Sequence, residues 1–256
     1  MKKNILYRIS SQGYPKLKVT TVNKYDCLEN LFKHFPDWNF ICVADNCSEE
    51  LLNGLSKFPF TRLFKTNLGN PASFWHLYES AFNTADDDDI FYFIEDDYLH
   101  LENSSKAIEE GLQLFDYVTL YDHPDKYKLS KKFLNPYVKF NRYSEKTEIA
   151  FSENFTWRTT NSTTLTFALK GSTLKDDYNV WKITRDVQRD HGFDNFCILT
   201  KQKLIPKSRI FRQYPRKLRF HFKKKKYLGV CIPGLSIHLE KPYIRPNDFV
   251  RFSIPQ

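Results

Sequence analysis

Short apolar runs alternate with amphipathic segments through the first half of the chain. The runs are rich in β-branched and aromatic residues and predict strands at 4–9, 38–44, 61–65 and 90–94. Asn23 and Ser48 are placed to cap helices, and apolar residues recur at helical spacing from Ala72 onward. This alternation with short turns predicts an α/β fold, in which a mostly parallel central sheet is flanked by helices.

The pattern continues with less regularity in the second half. It predicts a helix at 104–114, a strand at 116–120 and a polar loop at 121–127. Residues 156–169 have the composition of a strand or a hairpin, and 174–198 carries helical signals with a break near its end. We therefore expect a smaller antiparallel or irregular part beside the parallel sheet. Neither a repeat nor a long linker interrupts the sequence, so a single domain spanning 1–256 is predicted.

Three consecutive carboxylates, Glu95, Asp96 and Asp97, directly follow the apolar run at 90–94. In parallel α/β sheets ligands bind just beyond the carboxyl ends of the strands, so this triplet lies where a ligand is expected. Adjacent carboxylates repel one another, and a hard divalent cation such as Mg²⁺ or Mn²⁺ offsets that repulsion. A solvated acidic loop is the alternative interpretation. The acidic run at 86–89 precedes the same strand and is interpreted as a solvated turn.

The net charge of +9 is distributed unevenly along the 256 residues. Acidic residues concentrate before residue 125, whereas Lys and Arg crowd the segment 201–226, which ends in four lysines. Such a basic face suits nucleic acid, anionic lipid headgroups or a phosphorylated substrate, or it is simply solvated surface. The sequence has no zinc-finger, basic-zipper or RNP pattern, so nucleic acid is the least favoured of these partners.

The five cysteines are scattered, odd in number and without a CxxC pair, which argues against a disulfide framework and a structural zinc site. No apolar run is long enough to span a bilayer, and the first residues do not have the pattern of a signal peptide. The expected location is the cytoplasm, with peripheral contact at the inner membrane surface through the basic segment.

Asp45 follows the second apolar run and has two interpretations. Its carboxylate can accept a hydrogen bond from a nucleoside base or ribose hydroxyl, or it can be a turn residue that opens the next helix. Asn67, Gly69 and Asn70 likewise fit either a binding loop or plain turn chemistry. Neither GxGxxG nor a P-loop occurs, so neutralising a phosphate would depend on a metal and on basic side chains.

In their order along the chain, these elements resemble the GT-A fold glycosyltransferases. The resemblance rests on Asp45 after the second strand, on Asn67-x-Gly69, and on Glu95-Asp96-Asp97, which looks like the DxD motif of that family with Glu in first place. It extends over roughly residues 4–240, although only short stretches match. One departure is the loop after the second strand, which is usually Asp-Asp-x-Ser and here is Asp45-Asn46-Cys47-Ser48.

The resemblance implies a site for a nucleotide-diphosphate sugar across the strand ends. It places Tyr7, Arg8 and Asp45 near the nucleoside, with Asn67 in the same crevice. Asp97 would ligate Mn²⁺ or Mg²⁺ at the diphosphate, joined by the later His238, with Glu95 and Asp96 near the ribose or the metal. Residues 1–125 would then bind the donor, 126–240 would bind a glycan or lipid-linked acceptor, and 241–256 would form a tail.

An inverting enzyme of this kind needs a carboxylate that takes the acceptor's proton. Asp194 is the leading candidate and Asp190 the second, although either can be a helix cap instead. Aromatic residues that could stack on a sugar acceptor are Phe155, Trp157, Tyr178 and Trp181.

Three other functions stay open on the sequence alone. A nucleotidyltransferase uses a similar sheet, although residues 10–15 match its Gly-rich basic loop poorly. The others are a basic nucleic-acid-binding protein and a non-catalytic sugar-binding relative.

Overall fold

The computed structural model describes residues 1–12, 18–127, 147–164, 166–182, 185, 192–201, 218–244 and 246–254. The strands are β1 Lys3–Ile9, β2 Asn39–Asp45, β3 Arg62–Thr66, β4 Ile90–Glu95, β5 Tyr98–His100, β6 Tyr117–Thr119, β7 Ile149–Phe151, β8 Thr156–Thr160, β9 Phe167–Lys170, β10 Leu228–Ile232 and β11 Ser236–His238. The α-helices are α1 Lys24–His34, α2 Glu49–Leu55, α3 Asn70–Phe82, α4 Ser104–Leu114, α5 Gly171–Asp176, α6 Tyr178–Trp181, α7 Gly192–Leu199 and α8 Pro246–Arg251.

Nine of these strands form one mixed sheet in the order β3-β2-β1-β4-β9-β6-β10-β8-β7. Strands β3, β2, β1 and β4 run parallel, β9 is antiparallel to both β4 and β6, and β6 is parallel to β10. The strands β8 and β7 complete the sheet in antiparallel pairs. The predicted α/β class, with a mostly parallel sheet and an antiparallel part in the second half, is confirmed.

The structure corrects the hairpin interpretation of residues 156–169. The strands β8 and β9 lie in this segment, but β10 and β6 separate them in the sheet. Local composition identified the strands correctly, whereas their partners come from segments far away in the chain. The helical signals at 174–198 correspond to α5, α6 and α7 rather than to one interrupted helix.

Both faces of the sheet are covered by helices, which explains the continuous apolar runs. On one face Ile5, Tyr7 and Tyr92 pack in a cluster with residues of α1, α2 and α4. On the other face Leu6 and Phe93 pack in a cluster with residues of α3, α5, α6 and α7. Successive residues of β1 thus point to opposite faces, as a strand requires.

Two of the four aromatic residues proposed to stack on a sugar belong to this core. Trp157 and Trp181 are both 0% exposed, the first in the cluster beneath α4 and the second in the cluster beneath α3. Their rings have no surface left for a ligand. The stacking hypothesis is therefore wrong for both tryptophans.

A small antiparallel sheet of β5 and β11 lies beside the main sheet. It was not expected, because β5 is only three residues long and follows the acidic triplet immediately. In its register His238 pairs with Tyr98, the residue after Asp97. The small sheet therefore brings a histidine from the end of the chain next to the acidic triplet.

The acidic run before β4 divides into two environments. Asp86, Asp87 and Asp88 are exposed, as predicted for a solvated turn. Asp89 is instead buried, and its carboxylate accepts hydrogen bonds from the backbone N–H of Lys2 at 2.6 Å and of Asp86 at 3.2 Å. It is a structural residue at the start of the strand.

The basic segment lies partly outside the described residues, which resume at 218. Of its four final lysines, Lys223 binds Asp177 at 2.8 Å and Lys226 binds Asp176 at 2.9 Å. The other two, Lys224 and Lys225, are exposed. Lys223 and Lys226 thus form ion pairs within the protein, and only Lys224 and Lys225 are left exposed for a partner. Among the described residues, none of the helices has the length and apolar character needed to cross a bilayer.

Candidate functional site

An open cleft of about 390 Å³ lies at the carboxyl ends of the parallel strands. It is within the size range of small-molecule sites, and it occupies the edge of the sheet where α/β folds bind ligands. Most of its lining is polar or charged: Arg8, Ile9, Ser10, Gln12, Lys18, Lys24, Asp45, Asn46, Gly69, Asn70, Ser73, Glu95, Asp96 and Asp97.

Each member of the acidic triplet forms an ion pair with a different basic side chain of the cleft. Glu95 pairs with Arg8, and Asp96 pairs with Lys24. Asp97 Oδ2 lies 2.7 Å from Lys18 Nζ. Three cations therefore offset the mutual repulsion of the three carboxylates.

Arg8 is held rigidly in place by the elements around it. Its guanidinium donates to Glu95, its register partner across β1 and β4, and to the backbone and side-chain oxygens of Asn70 at 2.6 and 2.5 Å. It also lies over the ring of Phe74, with 5.9 Å between the guanidinium carbon and the ring centroid. These contacts fix the positive charge at the floor of the cleft, where α3 begins.

Lys24 owes its position to the start of α1. Asn23 caps this helix in a reciprocal capping box with Asp26, which fixes Lys24 as the first helical residue. Its ammonium donates to Asp96 and to the backbone carbonyl of Ser10, and the Ser10 N–H donates to Asp96 Oδ2 at 3.2 Å. Lys24 and Asp96 thus join α1, β1 and the turn after β4.

Asp97 has the most distinctive environment of the three carboxylates. It is 8% exposed, its Oδ2 contacts Lys18 and His238, and its buried Oδ1 has no hydrogen-bond partner among the residues that the structure describes. Burial opposes ionisation, but the attraction of His238 and Lys18 outweighs it and holds the pKa of this carboxyl well below its usual value. Asp97 is therefore an ionised carboxylate, and its buried Oδ1 is unpaired within the described part of the chain.

His238 is oriented by its neighbours in the small sheet. Its ring is stacked on that of Tyr98, with centroids 4.8 Å apart and planes 6° apart. Its Nε2 lies 3.1 Å from Asp97 Oδ2, and its Nδ1 lies 3.7 Å from Glu240 Oε2. The contact with Asp97 and the stacking on Tyr98 orient the imidazole, and Glu240 lies on the Nδ1 side beyond hydrogen-bonding distance.

A divalent metal, which the resemblance implies, fits Asp97 and His238. The separation of 3.1 Å between Asp97 Oδ2 and His238 Nε2 matches the roughly 3 Å expected between neighbouring ligands bound to an ion at about 2.1 Å. The unpartnered Asp97 Oδ1 is an additional oxygen donor. Among the described residues no three His, Cys, Asp or Glu side chains converge on one point. The remaining ligands would be water and substrate phosphate, as is usual for Mg²⁺.

The carboxylate of Asp45 is buried and fully occupied within the protein. It accepts hydrogen bonds from Thr66 Oγ1 at 2.8 Å, from the N–H of Leu68 at 2.6 Å, from the N–H of Gly69 at 2.9 Å and from the Asn46 amide at 2.8 Å. Its observed contacts are those of a residue that shapes the loop before α3. Through that loop it forms one wall of the cleft.

Two other residues that were predicted to bind the nucleotide-sugar donor do not line the cleft. Tyr7 is 1% exposed and packs in the core against Leu28 and Cys42, because it points to the opposite face of β1 from Arg8. Asn67 lies on the exposed loop before α3, where Gly69 and Asn70 contribute to the lining instead. The cleft lining therefore does not include Tyr7 or Asn67, and their role in donor binding stays a prediction.

The two candidates for a catalytic base are not tested by the structure. Asp190 lies outside the described residues, as does its neighbour His191. Asp194 belongs to the first turn of α7, but the placement of its side chain is likewise outside the description.

The lysines of the cleft are functional candidates that the sequence interpretation missed. Lys18 precedes α1 and Lys24 is its first residue, and neither belongs to a recognisable sequence motif. Only their ion pairs with Asp97 and Asp96, which are distant in the sequence, identify them. Another buried carboxylate, Asp122, was also missed. It follows β6, which is oriented like β4, and it binds Arg158 Nη2 at 2.8 Å and the Tyr127 hydroxyl at 2.5 Å.

Comparison with protein-family models and with curated protein sequences gives no match. Solved structures give matches of low identity. CMP:2-keto-3-deoxy-manno-octonic acid synthetase complexed with CTP has a TM-score of 0.47 and 9% identity, over 90% of this chain and 89% of that chain. The 4-diphosphocytidyl-2C-methyl-D-erythritol synthase from Anaerococcus prevotii has a TM-score of 0.45 and 12% identity, over 97% and 93% of the two chains.

The galactosyltransferase LgtC, in complex with donor and acceptor sugar analogues, has a TM-score of 0.42 and 10% identity, over 76% of this chain and 69% of that chain. The matched structures thus include both nucleotidyltransferases and glycosyltransferases. With TM-scores below 0.5, the comparison assigns neither activity to this chain.

Proposed function

We propose that this chain is a glycosyltransferase that moves a sugar from a nucleotide-diphosphate donor to a glycan or lipid-linked acceptor. The observation that carries the proposal is Asp97, an ionised and nearly buried carboxylate with one unpartnered oxygen, beside His238 at the carboxyl edge of the sheet. Mn²⁺ or Mg²⁺ bound there would stabilise the negative charge that develops on the leaving diphosphate.

The remaining cleft residues suit the other parts of such a donor. Lys18 and Lys24 supply positive charges that could bind the diphosphate oxygens, since both side chains are one-third exposed and line the cleft. Asn46 and Asn70 line the cleft beside Asp45, and the nucleoside would contact the amide atoms that Asp45 and Arg8 leave, Asn46 Oδ1 and Asn70 Nδ2. Arg8 holds the floor of the cleft and keeps Glu95 in place.

Transfer forms a bond between the acceptor hydroxyl oxygen and the anomeric carbon of the sugar. The bond between that carbon and the diphosphate oxygen breaks, and its electron pair stays on the nucleotide diphosphate. The acceptor proton must pass to a base, for which Asp194 and Asp190 stay predictions.

Nucleotidyl transfer is a second candidate, because three cations line the same cleft. Arg8, Lys18 and Lys24 could each donate to an oxygen of a nucleoside triphosphate, but all three are already paired with carboxylates, so a divalent cation would have to neutralise most of the triphosphate charge. The two activities release different products. A glycosyltransferase releases a nucleoside diphosphate from a nucleotide sugar, whereas a nucleotidyltransferase releases pyrophosphate from a triphosphate and a phosphorylated sugar.

The test is product release by the full chain, with each common nucleotide-diphosphate sugar in one arm and with triphosphates plus sugar phosphates in the other. Both arms are run with Mn²⁺ and with EDTA. We expect nucleoside diphosphate release that depends on Mn²⁺ and falls at least 100-fold in Asp97→Ala, the size of effect seen when a charge-stabilising group is lost. The matched control is Asp88→Ala, which removes an exposed carboxylate at the other end of β4.

Full activity of Asp97→Ala would contradict the proposal. Pyrophosphate release in the second arm, with none of the first product, would replace it with nucleotidyl transfer. Binding of a nucleotide sugar without either product would indicate a non-catalytic sugar-binding protein.

A further inference from the structure

A metal ion held between Asp97 and His238 would contact the same Asp97 oxygen, Oδ2, that Lys18 contacts. Lys18 Nζ lies 2.7 Å from Asp97 Oδ2, and His238 Nε2 lies 3.1 Å from the same atom. An ion bound by Asp97 and His238 would therefore lie close to the ammonium group. Two positive charges within about 4 Å of each other repel strongly at a partly buried site.

The backbone around Lys18 cannot move aside easily. Lys18 forms a β-bridge with Glu240, and the Val19 N–H donates to the Leu239 carbonyl at 3.1 Å. The Leu239 N–H in turn donates to the Asp97 carbonyl at 2.9 Å. These bonds tie the backbones of Lys18 and Asp97 to the same strand end. What can move is the Lys18 side chain, which is 33% exposed and borders the open cleft.

A phosphate group in the cleft would give that side chain a new partner. Lysine ammonium groups bind phosphate oxygens as flexible point charges. Neither neighbouring carboxylate would compete for it, because Glu95 is paired with Arg8 and Asp96 with Lys24. A ligand carrying phosphate would therefore both attract the ammonium and free the Asp97 oxygen.

We infer that Lys18 and a divalent cation are alternative partners of Asp97, so that the metal binds tightly only together with a diphosphate that draws Lys18 away. The inference rests on the proposed function and adds an ordering device to it. In the free protein the ammonium stabilises Asp97 and excludes the ion. With a diphosphate present, the ammonium moves to the phosphate oxygens, and Asp97 and His238 become available to the ion.

The experiment measures Mn²⁺ binding to the full chain by electron paramagnetic resonance, with and without inorganic pyrophosphate. The titrations are corrected for the Mn²⁺–pyrophosphate complex that forms in solution. For the wild type we expect weak binding of Mn²⁺ alone, and binding at least fivefold tighter when pyrophosphate is present, the lower end of a typical coupling between two ligands. In Lys18→Met, Mn²⁺ alone should bind about tenfold tighter than in the wild type, because a like charge has been removed.

The matched control is Lys24→Met, which removes a cation of the same cleft that pairs with Asp96. Its affinity for Mn²⁺ alone should stay within about twofold of the wild type. The double variant Lys18→Met with Asp97→Asn should lose the gain, which locates the ion at Asp97. Thermal unfolding of each variant, followed by circular dichroism, checks that the fold is retained.

Equal affinity of Lys18→Met and the wild type for Mn²⁺ overturns the inference. An equal gain in Mn²⁺ affinity in Lys18→Met and Lys24→Met also overturns it, because it would indicate only a change of overall charge. A Lys18→Met protein that binds no Mn²⁺ at all also overturns it. The proposed function is judged separately by nucleoside diphosphate release, which does not depend on the order in which metal and donor bind.

Discussion

Asp97 and His238 are 141 positions apart in the chain, and yet Asp97 Oδ2 and His238 Nε2 lie 3.1 Å apart. The contact exists because β11 pairs with β5 immediately after the acidic triplet. Neither residue alone distinguishes this cleft from an ordinary loop. Their proximity produces the depressed pKa of Asp97 and the geometry that suits a cation.

Asp97 should make the stability of the protein sensitive to acid. Its pKa is lower in the folded protein than its ordinary value of 3.8, so the unfolded chain binds the proton more readily. The stabilisation is therefore complete above that ordinary value and is lost as the pH falls toward the folded pKa. We expect the difference in unfolding free energy between the wild type and Asp97→Asn to shrink by about 1 kcal/mol between pH 5 and pH 3.

Urea unfolding at pH 7, 5, 4 and 3 measures this difference. The exposed Asp88 serves as the control, since Asp88→Asn should follow the wild type at every pH. A constant difference between the wild type and Asp97→Asn across the range would contradict the prediction.

Asp45→Ala should lower the unfolding free energy by about 2–3 kcal/mol, because it leaves the N–H groups of Leu68 and Gly69 without their acceptor. Asp45→Asn keeps one acceptor oxygen and should lose about half as much. Urea unfolding at pH 7 measures both changes. Asp37→Ala, at an exposed aspartate, is the control and should change stability by less than about 0.5 kcal/mol. A loss of nucleotide binding in Asp45→Asn without a loss of stability would instead indicate direct contact with the ligand.

Lys224 and Lys225 should carry any attraction of the lysine run to anionic membranes. Lys223 and Lys226 are already neutralised by Asp176 and Asp177, whereas the middle pair is exposed beside Phe222, which is 97% exposed. At about 1 kcal/mol per lysine, replacing both Lys224 and Lys225 by Gln should weaken binding to phosphatidylserine vesicles about 30-fold.

Sedimentation with vesicles of phosphatidylcholine, with and without phosphatidylserine, measures this binding. The control replaces Lys33 and Lys57, two exposed lysines elsewhere on the chain, by Gln. An equal loss for both pairs would show that net charge alone is responsible. Unchanged vesicle binding after replacement of Lys224 and Lys225 would contradict the role of the lysine run.

The strands and helices of the first half could be predicted because the relevant physics is local. Strands β1, β2 and β4 are buried on both faces, so each leaves a continuous apolar run in the sequence. The position of the acidic triplet followed from the same reasoning, since residues after such a strand lie at the ligand-binding edge. The hairpin interpretation of 156–169 failed because strand neighbours are chosen by contacts distant in sequence.

The cleft was less predictable than the fold for a similar reason. Lys18 and Lys24 become meaningful only through carboxylates more than 70 positions away, and no local pattern records such pairs. Tyr7 and Arg8 are adjacent in β1, but the alternation of a strand sends one to the core and the other to the cleft. The packing of the helices decides which of these two side chains points toward the ligand.

The position of β9 has a consequence for how the protein is made. This strand, Phe167–Lys170, lies between β4 and β6, so both of these earlier strands lack a neighbour until residue 170 has left the ribosome. During synthesis the edge of β4 that later pairs with β9 therefore stays open, and β6 has no partner on its β9 side. The order of translation thus delays closure of the sheet at its centre.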